Sequence, residues 1–171
     1  ALIAQGKKEQ GLAHTQAGLA ALRATGTGLW QSQFLALLAG AYGETGRIQE
    51  GLQVIDEALV VSERNGEQFY EAELYRMKGK FTLEASSWRL ETRSSSPQAP
   101  SLKPFVSIEV MEEAEGYFQK AIGIAQKQGA KSWELRAATS LACLWQSQGK
   151  HRGARTLLED IYNWFTEGFD T

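Results

Sequence analysis

The stretch GLQVIDEALVVSERNGEQFY, residues 51–70, decides the fold. Leu52, Ile55, Ala58 and Leu59 recur at helical spacing, so one stripe of a helix faces a core. Gly66 follows that stripe and reads as the helix stop, because glycine takes the left-handed conformation at little cost. Tyr70 then opens the next helix. GLAHTQAGLAALRATGTGLW (11–30) and AEGYFQKAIGIAQKQGAKSW (114–133) repeat the arrangement. Each opens on a small residue (Gly11, Gly51, Ala114), reaches a glycine fifteen residues later (Gly26, Gly66, Gly129) and meets an aromatic four beyond it (Trp30, Tyr70, Trp133).

A second pattern interlocks with the first. LLAGAYGETGRIQEG (37–51) matches SLACLWQSQGKHRGA (140–154), pairing Leu38 with Leu141, Ala39 with Ala142, Tyr42 with Trp145 and Gly46 with Gly149. GKKEQG (6–11) fits the same turn. The units are helix-turn-helix pairs with a period near 40, and repetition at that period points to a helical solenoid. Small residues such as Gly51 and Ala154 fall where paired helices cross closely, and an aromatic fills the angle between them.

Leu38, Ala39, Tyr42, Gly46, Gly51, Ile55 and Ala58, and the matching Leu141, Ala142, Trp145, Gly149, Ala154 and Leu158, resemble the tetratricopeptide repeat. Leu35 and Ala138 depart from the first aromatic of that pattern, and Glu63 and Thr166 from its proline. The resemblance implies a right-handed stack whose first helices line a concave face. It assigns to that face Gln33, Ala36, Leu37 and Gly40, then Ala72, Tyr75, Arg76 and Gly79, then Arg136, Thr139, Ser140 and Cys143. Gln33, Tyr75, Arg76, Arg136 and Ser140 are the candidate contacts. The family's best-known groove clamps C-terminal carboxylates with several Lys, Arg and Asn. Here only Arg76 and Arg136 are charged candidates, so a less charged peptide, a helix or another domain of the same chain fits better.

Bulk properties narrow the function. The chain has 171 residues, 18 Lys plus Arg against 20 Asp plus Glu, and a net charge of −2. That length suits one domain or a short repeat array, and folding buries roughly 70% of such a chain's surface without metal or disulfide. Nucleic acid and membrane surfaces draw a basic excess that is missing. The single cysteine, Cys143, forms no internal disulfide and points to a reducing cytoplasm. No apolar run approaches the roughly 18 residues of a membrane span, and no leader pattern opens the chain. The opening ALIAQGKK, without methionine, reads as a piece of a longer protein.

The third unit is interrupted. Its first helix is expected over QFYEAELYRMKGKFTLEA (68–85), with Leu74, Met77 and Phe81 facing inward. Even spacing puts the second helix's small residue near position 90, yet it falls at Ala114. SSWRLETRSSSPQAPSLKPF (86–105) lies between and holds all three prolines. Its Ser/Pro enrichment predicts a flexible inserted loop at about 87–106, longer than most connections. A tolerated surface insertion is one reading, and a docking or modified loop at Ser96–Pro97 is the other. Trp88 either caps the preceding helix or stands ready for a partner.

Catalytic chemistry is sparse. No Gly-x-x-x-x-Gly-Lys-Ser/Thr loop is present, and no Gly-x-Gly-x-x-Gly follows a strand pattern. TGTGLW (25–30) joins two helices. His14 and His151 lie in distant repeats, and Cys143 has no paired cysteine, so no metal set forms. A nucleophilic Cys143 needs a histidine and an orienting group that nothing supplies. Glu112–Glu113 and Glu159–Asp160 are adjacent pairs, about 100° apart on a helix, which suits a solvated face. Trp30, Tyr42, Trp133 and Trp145 read as core, and Trp164 and Phe165 as packing on the last helix, which Gly168 ends.

GAKSWELRAATSLA (129–142) and WFTEGFDT (164–171) are similar to the C-terminal region of large bacterial proteins. Those proteins join a nucleotide-binding ATPase module to a tetratricopeptide tail, many with an adenylate/guanylate cyclase domain in front. This chain carries neither the phosphate loop nor the cyclase metal motifs, so the resemblance implies no enzyme activity here. The expectation is therefore an all-α, tetratricopeptide-like right-handed α-solenoid of about seven helices plus a partial first one. It forms one domain, with units at about 1–26, 28–66, 68–129 and 131–168. The expected function is a non-catalytic protein–protein interaction and regulatory module of a bacterial signalling protein, without cofactor or metal. Its partner is a protein or peptide, another domain of the same chain included, and neither nucleic acid nor membrane. The alternative is the effector-sensing domain of a transcriptional regulator, holding a small molecule or peptide in the groove. A third expectation is a homodimer through the open end at ALIAQ, since uncapped solenoid ends expose apolar faces.

Overall fold

Glycine marks most of the helix ends. Gly26, Gly46, Gly66, Gly129 and Gly149 all have positive φ, from 63° to 76°, the left-handed conformation that bends the chain out of one helix and towards the next. A computed structural model of the chain describes residues 7–26, 28–94 (backbone alone over 88–94) and 106–165. Among them are seven α-helices and no strand: α1 Lys8–Ala24, α2 Gln31–Glu44, α3 Ile48–Asn65, α4 Glu71–Ser94, α5 Ile108–Lys127, α6 Lys131–Ser147 and α7 His151–Tyr162. A single 3₁₀ turn, Gln68–Tyr70, leads into α4. The partial helix expected at ALIAQ lies outside the described residues.

Each helix packs on its neighbour in sequence, and α4 also meets α2 and α6. Leu12, Leu35, Ile55, Leu74 and Phe81 belong to one buried cluster. Phe118, Ile122, Leu141 and Ile161 belong to a second, on which Tyr75 and Leu83 of α4 also pack. So α4 serves both cores, with Leu74, Met77 and Phe81 on one side of it. Tight contacts fix how it lies. A Cβ on Gly43 would stand 2.5 Å from Phe81 Cζ, and one on Gly51 2.6 Å from Phe81 Cε2. A Cβ on Gly79 would stand 2.7 Å from Phe118 Cε1 and 3.1 Å from the Ala114 carbonyl oxygen. Ala114 and Ala154, the small residues expected at close crossings, are almost fully buried.

Four features bear on these expectations. First, α4 runs to Ser94, so the inserted loop does not begin at 87. Arg89, Leu90 and Glu91 are good helix formers, and no proline intervenes before Pro97. Second, Ser107 caps α5, its side chain accepting from Val110 N at 3.4 Å, where the insertion is expected to end. Glu109 follows in the first turn, its carboxyl held below the usual range by its own backbone N–H and by Ser107. The three prolines, Ser96 and the side chain of Trp88 lie outside the described residues, as does Gly168. Third, Trp30 is 58% exposed. Tyr70 meets Trp133 edge-on, ring centroids 5.3 Å apart, whereas Trp30 has φ 64°, which turns its side chain out of line with its counterparts. Fourth, Trp164 is also 58% exposed. Its ring meets Phe165 edge-on at 5.2 Å, and Phe165 is the one that packs on the core.

Gly79 and Gly116 test this packing in opposite directions. Gly79→Ala forces Phe118 against backbone and loses about 1–3 kcal/mol. Gly116 has open space around its missing Cβ, so Gly116→Ala gains about 0.5–1 kcal/mol of helix propensity. Urea unfolding followed by circular dichroism measures both.

Candidate functional site

Side chains from α2, α4, α5 and α6 form a strip of two adjoining clefts. The first, of about 550 Å³, lies between Leu37, Gly40 and Glu44 of α2 and Arg76, Met77 and Lys80 of α4, with Arg136 reaching in from α6. Gly40 keeps its floor open, since a Cβ there would meet only Met77 Cε, at 3.9 Å. The second, of about 590 Å³, lies between α4, the start of α5 and α6, and is walled by Leu83, Met111, Phe118, Ser140, Cys143 and Leu144. Lys80 borders both clefts.

A buried carboxylate organises the first cleft. Glu73 is 5% exposed. Arg76 grips it in a fork, Nε donating to Oε2 and Nη2 to Oε1, each at 2.8 Å. Arg136 Nη2 crosses from α6 to the same Oε1 at 2.8 Å. Arg76 Nη1 also reaches Ser140 Oγ, at 3.5 Å. A carboxylate taken out of water needs such pairing. The Arg76 side chain is only 15% exposed and belongs to this buried pair. That of Arg136 is 55% exposed, with its guanidinium carbon 5.1 Å above the Trp133 ring. Tyr70 borders the cleft, and its phenol is pushed up by burial and then by Glu73, with Arg136 and Arg76 opposing. It stays protonated at neutral pH.

Arg76, Arg136 and Ser140 are thus brought together. Tyr75 is not with them: its hydroxyl accepts from Lys120 Nζ at 2.6 Å and its ring stacks on Tyr117 of α5. Gly79 lies under Phe118 and Ala72 is buried, so neither borders a cleft. Gln33 lines a separate pocket with Trp30, Glu67 and Phe69. On α4 the cleft is lined instead by Glu73, Arg76, Met77, Lys80, Phe81 and Glu84, of which the repeat pattern assigns only Arg76 to that face. The missed signal was a spacing. Tyr70 stands 40 residues after Trp30, and that offset carries Gln33, Ala36, Leu37 and Gly40 onto Glu73, Arg76, Met77 and Lys80. An offset of 39 turns the chosen face by about 100°.

Cys143 is exposed and lines the second cleft. His14 and His151 are exposed on different helices. Among the described residues no group of three or more His, Cys, Asp and Glu could hold a metal ion. Nor is any helix there long and apolar enough to cross a membrane. No protein-family model matches this chain, and no curated protein matches it.

Glu73 and Arg136 carry different weights. Glu73→Gln leaves two guanidiniums sharing a neutral partner and loses about 1–3 kcal/mol. Arg136→Ala leaves the Arg76 fork intact and loses less than about 1 kcal/mol, as exposed ion pairs do. Thermal and urea unfolding of the two variants measures the difference.

Proposed function

We propose that the chain is a tetratricopeptide-type right-handed helical stack acting as a non-catalytic interaction and regulatory module. The observation that carries this reading is the strip across α2, α4 and α6, where Gly40 opens a cleft edged by Leu37 and Arg136. Leu37 is 52% exposed, an apolar side chain beside a partly free guanidinium, which suits a protein segment in a groove. The helix-turn-helix units, with left-handed glycines at Gly26, Gly46, Gly66, Gly129 and Gly149 between successive helices, support the stack itself. Lys8, Arg76, Lys80 and Arg136 face Glu44, Glu73 and Glu84, so the strip offers little net charge and suits a peptide that is mildly acidic and partly apolar. Its place as the C-terminal part of a multidomain bacterial signalling protein of cyclase or ATPase type rests on the resemblance carried by 129–142 and 164–171. The partner is then a protein segment, another domain of the same chain included.

The second reading is an effector-sensing domain of a transcriptional regulator. The second cleft favours it, because about 590 Å³ with mostly apolar walls lies in the range of small-molecule sites. A metabolite that raises the melting temperature in proportion to its concentration supports that reading.

Peptides selected on the folded chain by phage display test the first reading. Leu37→Glu and Arg136→Ala alter the strip without touching either core, and each weakens the selected peptides by about tenfold or more, the loss typical of a central interface residue. Peptides that bind both variants as tightly as the unaltered chain count against the strip.

A further inference from the structure

A small pocket outside the strip has a composition that core packing does not explain. It measures about 350 Å³, and its walls include three aromatic side chains, Trp30, Phe69 and Tyr70, and one carboxylate, Glu67. Trp30 is 58% and Phe69 60% exposed, a large apolar area left in water. Trp30 is also the one non-glycine residue with positive φ among those described. A bulky side chain in that conformation is strained, and such strain persists where the surroundings hold it. They do so here. Asn65 Nδ2 donates to the Gly28 carbonyl at 3.0 Å and ties this turn to the end of α3. Phe34 N donates to the Trp30 carbonyl at 3.1 Å. The opposite wall is fixed too, since Ser62 Oγ donates to the Glu67 carbonyl at 2.7 Å.

Glu67 gives the pocket its sign. Its Oε2 accepts from Ser32 N at 3.2 Å and from Ser32 Oγ at 2.7 Å. Its Oε1 is buried and meets no donor among the described residues. No lysine or arginine lines the pocket. Aromatic faces carry the negative side of the ring quadrupole, so rings and carboxylate together attract a cation. This oxygen is shielded from the pocket's solvent, so its charge acts through the wall and it offers the pocket no hydrogen bond at short range. A primary ammonium carries three N–H donors that need acceptors. A quaternary ammonium needs none, and its methyl groups suit apolar walls.

We propose that this pocket binds a trimethylammonium group, held by the faces of Trp30, Phe69 and Tyr70 and by the charge of Glu67. The proposal does not depend on the reading of the strip.

The test is a calorimetric titration of the folded chain, with the Trp30 indole N–H followed by NMR. The titrants are choline, a peptide bearing one trimethyllysine, and 3,3-dimethylbutanol, the uncharged isostere of choline. At least one of the two cations saturates the protein and shifts the Trp30 signal, and the tighter one names the source of the group. The uncharged isostere binds about tenfold more weakly, and Trp30→Ala and Glu67→Gln each weaken the cation by a similar factor. Circular dichroism keeps these comparisons to folded protein, and Phe69→Ala, at an exposed position, replaces any variant that fails to fold. An isostere that binds as tightly as the tighter cation overturns the proposal. So does a Glu67→Gln chain that binds as before, or the failure of both cations to bind.

Discussion

The rest of the structure depends on aromatic rings laid against glycines on either side of α4. Phe81 fills the space left by Gly43 and Gly51 on α2 and α3, and Phe118 of α5 fills the space left by Gly79. Such contacts bring backbones closer than any larger residue permits, and dense packing resists sliding. The two buried clusters would otherwise be separate bodies, α1 to α3 and α5 to α7. Because α4 gives Leu74 and Phe81 to one and packs Tyr75 and Leu83 on the other, they share one rigid element.

That sharing also aims the cleft. With Phe81 and Gly79 committed to packing, the remaining face of α4 carries Glu73, Arg76, Lys80 and Glu84 towards α2 and α6. Glu73 is the inward member of this row. Burying it is tolerated because two guanidiniums reach it, one from its own helix and one from α6. The same pairing spends most of the charge that Arg76 brings to the groove. An exposed arginine and a paired, half-sunken one read alike in a sequence and differ greatly in what they offer a ligand.

Much of the helical order was legible because it rests on local conformation. A glycine that must take positive φ marks a helix end whatever lies around it, and Gly26, Gly46, Gly66, Gly129 and Gly149 all do so. The inward stripe of α4 was legible for a similar reason, since Leu74 and Phe81 follow helical periodicity and are buried. The cleft face was harder. Periodicity shows which residues are buried, but a single-residue difference in repeat offset rotates the polar face by a quarter turn or more, and it puts Tyr75 and Gly79 where Arg76 and Lys80 line the cleft. Trp30 departs from its counterparts because Tyr70 and Trp133 find each other while it takes a left-handed backbone at a turn. Glu73 looks in sequence like its neighbour Glu71, and only the approach of Arg136 across 63 residues of sequence makes it special.

Native-state hydrogen exchange tests the central claim, that α4 binds both cores into one body, most directly. Amides of α4 between Leu74 and Phe81 belong to the most protected set, and they open together with those of α3 and α5 in one cooperative step. Exchange in which α1–α3 and α5–α7 open as two independent units, with α4 exposed in either, would contradict it.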